Sequence, residues 1–288
     1  MATLQDILSG NFPAARRYAE GYAQMPSYLQ DPYLGLSTSQ VGNVTKGLLS
    51  KTQFEKAQEV ASKNAETLLG LPKGNTAMDR ARAMGFETAP SKRLYHYAKQ
   101  DWNTNVIDPT KSDLGFHVGN VDQAGHRAKV FGGGLTDSGE WVSGLGEGSN
   151  IIPLMKSKYS YMLPVKDEGS FHADTIAPML EKKGILPKGY TKEIVSDPLG
   201  NVSSSGWDVK YDQAMRDALK KKGYHGIGYE NVHEGAGKSY AFTDPSMLRS
   251  PFAAFDPARV NENDILAGLM AIPVSGILQE PKEKKKKK

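Results

Sequence analysis

The sequence predicts an α+β protein in which a helical N-terminal segment precedes a body of short strands and helices. Three observations carry that expectation. Between Thr52 and Leu69 the residues Phe54, Ala57, Val60, Ala61, Ala65 and Leu68 recur three and four apart, the period of an amphipathic helix, and no strand pattern occupies the first eighty or so residues. From Phe86 the character changes, and strand-like runs such as LYHYA (94–98) alternate with helical ones. The densest stretch, Gly223 to Pro257, reads as strand, acidic glycine loop, strand: Gly226 to Tyr229, then Glu230, His233, Glu234 and Gly235 to Gly237, then Ser239 to Phe242.

Composition excludes several chemistries. With 288 residues, 39% of them hydrophobic and 24% charged, the chain has material for a sizeable core, while 30 glycines and a mean hydropathy of -0.50 point to generous loops. The absence of cysteine excludes disulfides, thiol catalysis and cysteine-ligated zinc or iron–sulfur centres. The formal net charge is +4, but the final KEKKKKK (282–288) contributes +5, which leaves about -1 on the rest. A broad basic face for nucleic acid is therefore not expected, and the lysine run reads as a solvated tail able to hold phosphates weakly and salt-sensitively. The opening MATLQDILSGNFPAARRYAE has no signal-peptide pattern, so no classical export is expected.

Taken in order, Ala14 to Leu36 places tyrosines at 18, 22, 28 and 33 among prolines and glycines, which predicts one short helix followed by irregular chain, an adaptor rather than a catalytic part. Thr52 starts the amphipathic helix, and Gly70 with Pro72 stops it. A second helix is expected over Asn75 to Met84, with Asn75 or Thr76 at its cap and Gly85 just past its end. LYHYA then reads as a strand, followed by a loop with Trp102, a strand in LGFHVG, and a helix in VDQAGHRAKVF capped by Asn120. Gly132 to Asn150 is glycine-rich and mobile in expectation, an insertion or a lid. Strands are expected at Ile151–Met155 and Tyr159–Val165, and helices at His172–Lys183 and Tyr211–Lys222, the latter ending at Gly223. The apolar DILAGLMAIPVSGIL (264–278) is broken by Pro273 and too short to cross a hydrocarbon layer of about 30 Å, so it should pack on the body or on a partner. The expected organisation is a helical extension over 1–85, a main domain over 86–260, and an apolar segment with a lysine tail over 261–288.

The chemistry-bearing residues gather in the main domain. A glycine loop lets the backbone approach a ligand closely, and Glu230 and Glu234 would stand as carboxylates at the mouth of the sheet, suited to acid–base or charge-stabilising work; a plain solvated hairpin is the competing reading. His96, His117 and His126 fall on a strand, a second strand and a helix start. Each alone fits an ordinary hydrogen-bonded or surface histidine. With His233 they lack any His-x-x-x-His pair or dense Asp/His string, so no metal site is expected.

Three segments, LYHYA, LGFHVGNVDQAGHR and GYHGIGYENVHEGAGKSY with the following DPSMLRSPFAAFDP, resemble in order and spacing the ADP-ribosyltransferase-like domains of phage-encoded and polyvalent proteins, which share their fold with diphtheria-type toxins and poly(ADP-ribose) polymerases. The resemblance covers roughly Arg93 to Ala267. It implies a fold of split antiparallel β-sheets holding bent NAD in a cleft, and mono-ADP-ribosyl transfer from NAD to a host protein or other macromolecule, in the virion or the host cytoplasm, with virion proteins as further partners. It further implies that His96 bonds a ribose of NAD, that the Tyr97 backbone receives the nicotinamide amide, and that His117 and His126 stand where relatives flank the nicotinamide with aromatic rings. Tyr95 and Ser239 join these NAD-contacting residues. Glu234, or alternatively Glu230, would act on the nicotinamide ribose 2′-hydroxyl, because a fixed carboxylate stabilises the oxocarbenium character of the breaking bond. Two departures stand out: Tyr97 and Ala98 replace the family's glycine and hydroxyl residue, and Ser239 occupies the place where the polymerases carry a glutamate. They keep two alternatives open, an inactive virion or interaction protein and an NAD glycohydrolase.

Overall fold

Apolar residues at helical and alternating spacing assemble two small sheets with helices around them. The computed structural model describes residues 51–98, 106–112, 114–131, 134–135, 141–142, 150–196 and 209–266. The expected N-terminal short helix, the Trp102 loop, most of the Gly132–Asn150 stretch, and the apolar segment and lysine tail from Ala267 onward lie outside them.

Helix α1 (Lys51–Leu69) buries Ala57, Ala61 and Ala65, and Gly70 ends it at φ +66°, a left-handed turn that costs glycine little. Helix α2 (Ala77–Ala83) begins in a capping box, with the Thr76 side chain accepting from the Asp79 N–H and the Asp79 carboxylate accepting from the Thr76 N–H. Strand β1 (Leu94–Ala98) follows, then β2 (Phe116–Val118), helix α3 (Val121–Phe131), the two-residue strands β3 (Gly134–Leu135) and β4 (Trp141–Val142), β5 (Asn150–Lys156) and β6 (Met162–Pro164). Helices α4 (Ala173–Lys182), α5 (Tyr190–Ser196) and α6 (Val209–Lys221) precede β7 (Gly226–Glu230), β8 (Lys238–Phe242) and β9 (Leu248–Arg249).

One sheet has the order β1-β5-β9, all antiparallel, and the other β2-β8-β7-β6; among the described residues β3 and β4 pair with each other. The two larger sheets meet at one antiparallel bridge, where Tyr95 and Gly119 exchange backbone hydrogen bonds of 2.7 and 3.0 Å. Leu94, Ile152 and Leu154 of the first sheet and Phe116, Val118 and Phe242 of the second form the central core, closed by Ala57 and Ala61 of α1. Each large side chain there contributes roughly 1.5–3 kcal/mol of burial. Leu163, Ile227, Tyr229 and Ala241, on the opposite face of the second sheet, pack against Ile176 and Leu180 of α4, Ile194 of α5, and Met215 and Leu219 of α6. A smaller cluster seats Ala124 and Ala128 of α3 on Tyr95, Tyr97 and Ile151.

The α+β class stands, with two corrections. The second sheet is mixed, because β6 and β7 run parallel (Met162↔Gly226, Leu163↔Ile227), and the 61 residues between them supply the crossover that a parallel pair requires. The strand expected over Tyr159–Val165 shrinks to Met162–Pro164: Tyr159 sits in a turn, and the Tyr161 N–H donates to Nδ1 of His225 at 2.9 Å instead of to a neighbouring strand. Helix α5 and strand β9 carry periods too short to be read from the chain. No helix among the described residues is long and apolar enough to cross a membrane.

Candidate functional site

The loop between β7 and β8, residues 231–237, is the most densely bonded polar feature near the seam of the two sheets. Asn231 organises it. Its Oδ1 accepts from the backbone N–H groups of His233 (3.1 Å) and Glu234 (2.8 Å), forming the turn that asparagine favours, while its Nδ2 donates to Oε2 of Glu234 and to Oγ of Ser239, both at 3.0 Å. The loop closes when the Asn231 N–H donates to the Gly237 carbonyl at 2.8 Å.

Helix α3 braces this loop from outside. Asn120 and Gln123 form a reciprocal cap, the Asn120 N–H donating to Gln123 Oε1 (2.8 Å) and the Gln123 N–H to Asn120 Oδ1 (3.0 Å). The remaining donors reach across: Gln123 Nε2 to the carbonyls of Gly235 (3.0 Å) and Gly237 (3.1 Å), and Asn120 Nδ2 to that of Ala236 (2.9 Å). The Ser239 hydroxyl donates to Gln123 Oε1 at 3.0 Å. Gly237 has φ +115°, and a Cβ there would lie 2.9 Å from Asn120 Nδ2, so both conformation and close approach select glycine. One turn further along α3, Arg127 forms an ion pair through Nε with Oε1 of Glu234. On the far side of the loop, buried Asp167 accepts from the N–H of Val232 (2.9 Å) and of Gly169 (3.0 Å).

The two glutamates are therefore unlike. The side chain of Glu234 is 19% exposed and held by Arg127 and Asn231, whereas that of Glu230 is 68% exposed and faces Lys238 across the strand pair at 3.7 Å. A loose surface pair of that kind holds its carboxylate in no fixed place.

Arg127 also links the loop to the histidines, since its charge acts on both His96 and His117. The His96 ring lies 4.0 Å from the Phe116 ring, stacked, and its Nδ1 is 2.7 Å from the carbonyl of His117. A carbonyl only accepts, so Nδ1 carries the hydrogen and Nε2 is the acceptor of a neutral imidazole. Burial keeps it neutral, lowering its pKa to about 4 despite the hydrogen bond to the carbonyl. His117 points to the other face of the sheet, edge-on to Phe171 (4.7 Å), with Nδ1 3.4 Å from the Tyr229 hydroxyl and Nε2 buried without a partner. Burial pushes its pKa well below the usual imidazole range and pushes the Tyr229 phenol up.

Of the residues singled out from the sequence, the fold groups Glu234, His96, His117 and Ser239 around α3 and the seam. Ser239 is buried and its hydroxyl belongs to the brace. Tyr95 and Tyr97 bury their rings under α3, and the N–H and carbonyl of Tyr95 are both taken by Gly119. His126 is exposed on α3, beside rather than among the others, and Glu230 stands at the end of β7. Sequence reasoning passed over Asn231, Gln123, Arg127, Tyr229 and Asp167. Asn120-x-x-Gln123 is a capping-box pattern and Asn231 precedes a glycine loop, so those two carried a local signal; the pairing of Arg127 with Glu234 spans 107 positions and carried none. Among the described residues no group of three or more histidines and acids could hold a metal ion. No protein-family model, curated protein or solved structure matches this chain.

Proposed function

We propose that the chain is an NAD-dependent mono-ADP-ribosyltransferase acting on a macromolecular acceptor of a phage host, with Glu234 as its charge-stabilising carboxylate. The observation that supports this reading is the joint position of Glu234 and His96: one arginine, Arg127, pairs with the first and acts on the second, beside the Tyr95–Gly119 bridge between the two sheets. A neutral imidazole with an acceptor nitrogen suits a ribose hydroxyl. A carboxylate fixed by two side chains suits positive charge that develops at C1′ as the glycosidic bond lengthens, and preorganisation makes it worth more in the transition state than in the ground state.

In the reaction the C1′–N bond breaks, nicotinamide leaves with the electron pair, and an acceptor nucleophile bonds C1′ and gives up its proton. The family resemblance assigns the nicotinamide amide to the Tyr97 backbone, on the strand whose Tyr95 bridges the two sheets. Arg127 would exchange part of its hold on Glu234 for substrate, which makes Glu234 available when NAD is present. The ion pair itself favours a second reading, NAD binding without transfer, because it neutralises the carboxylate in the unliganded chain.

Incubating the purified chain with labelled NAD and host lysate, beside Glu234→Gln, tests both. Label on a discrete species that is lost in the variant supports transfer. Nicotinamide release without labelled acceptor replaces it with hydrolysis, and thermal stabilisation by NAD without release leaves binding alone. No release, no label and no stabilisation overturn all three.

A further inference from the structure

The end of the β7–β8 hairpin opposite the 231–237 loop carries a second surface. There the chain leaves β5 at Lys156, crosses between the sheets and enters β6 at Met162, which pairs with Gly226 at the start of β7. On this crossing Tyr159 and Tyr161 are 65% and 67% exposed. Both rings are nevertheless held in place. Tyr161 stacks on Tyr224, with centroids 5.4 Å apart and planes at 22°, and its backbone is bonded in both directions to His225. The Tyr159 ring packs against Gly85, where a Cβ would come within 2.2 Å of it, so this glycine at φ +82° makes room for the tyrosine.

Lysines adjoin these tyrosines along the chain, and one stands over a ring. Lys158 Nζ lies 5.2 Å from the Tyr159 centroid and Lys156 Nζ 5.6 Å from that of Tyr240. Lys220, Lys221 and Lys222, all exposed, close α6 just before Tyr224. Acids share the region: Glu87, whose charge reaches Lys156, and exposed Asp217, one turn before Lys220 and Lys221 on α6. Against a nearly neutral body, four exposed lysines, Lys158 and Lys220–Lys222, adjoin exposed Tyr159 and Tyr161 and half-buried Tyr224. Flat rings accept the faces of bases, and the ammonium groups meet phosphates.

We propose that the surface formed by Tyr159, Tyr161 and Tyr224 with Lys158 and Lys220–Lys222 binds single-stranded nucleic acid. A duplex keeps its base faces inside the stack and cannot use the rings. The surface does not depend on NAD chemistry: the five residues of β7 set it about 15 Å from the 231–237 loop.

The test uses the full chain with short oligo-dT and oligo-rU strands containing 2-aminopurine, and with a duplex, read by fluorescence quenching and anisotropy at low and moderate salt. Single strands should bind with quenching, and the duplex more weakly. Tyr161→Ala should weaken binding about fivefold or more while Tyr161→Phe retains it, because the face and not the hydroxyl is used. Lys158→Glu should flatten the salt dependence. Equal affinity for dT and rU assigns recognition to base faces and phosphates; preference for rU adds the 2′-hydroxyl. Three results overturn the proposal: no binding at low salt, a duplex bound as tightly as a single strand, or binding that Tyr161→Ala and Lys158→Glu leave unchanged, which assigns it to the C-terminal lysine run. Circular dichroism of the variants checks that the exposed substitutions leave the fold intact.

Discussion

The two ends of the β7–β8 hairpin solve different problems with the same pair of strands. At the loop end, Asn231, Gln123, Asn120 and Asp167 bond the N–H groups of Val232, His233 and Glu234 and the carbonyls of Gly235, Ala236 and Gly237, and one carboxylate is fixed between an arginine and an asparagine. At the opposite end, Tyr161 stacks on half-buried Tyr224, which packs on the core, and stays largely open to solvent itself. Directional bonds fix the position of a charge, which electrostatic stabilisation of a transition state needs. Flat apolar faces tolerate many partners, because stacking asks for a plane and not for a lone pair. The two ends therefore differ in how their groups are held, by directional hydrogen bonds at the loop and by ring stacking at the other end.

Substitutions can break that comparison, and the largest effect belongs to the fixed carboxylate. Glu234→Gln should lower nicotinamide release about 10²–10³-fold at saturating NAD, equivalent to roughly 3–4 kcal/mol, with NAD-induced thermal stabilisation retained. A variant as active as the parent would remove Glu234 from the chemistry. Next is the organiser of the loop: Asn231→Ala breaks bonds to two backbone N–H groups, to Glu234 and to Ser239, and should cost about 2–4 kcal/mol in denaturant unfolding. A cost below about 1 kcal/mol would show the brace to be redundant.

Acid should act through the seam. His96 has a folded pKa of about 4 against an ordinary value of 6.5, so the unfolded chain takes up a proton first as pH falls. Its contribution is fully present above about pH 6.5 and is lost between about 6.5 and 4. Allowing for the partial exposure of the ring, this amounts to about 2 kcal/mol, and buried His117 acts in the same direction. Unfolding curves of the parent and of His96→Asn at pH 7.5 and 4.5 should differ in slope against pH; parallel dependence would exclude His96 as the source. Gly237→Ala forces a side chain into φ +115° beside Asn120 and should cost about 1–3 kcal/mol, read as a lowered Tm. The smallest effect is at Glu230, where Glu230→Gln should leave nicotinamide release unchanged and shift stability by less than about 0.5 kcal/mol.

Much of this architecture was legible in the chain. The spacing of Phe54, Ala57, Ala61 and Ala65 marked α1, Gly70 and Gly223 marked helix ends, and the strand–loop–strand order of 226–242 appears where alternation and glycines placed it, because these are local properties of period and φ. The presence of two acids in the loop was equally visible. The sequence could not decide between Glu230 and Glu234, since both are glutamates in a polar glycine stretch. Tertiary structure separated them by bringing Arg127, 107 positions away, to one and only Lys238 to the other. The parallel placement of β6 on β7, the neutral tautomer of His96 and the stacking of Tyr161 on Tyr224 were also decided in three dimensions. Each depends on a partner distant in sequence, and no local period or propensity encodes which distant group will supply the charge, the carbonyl or the ring.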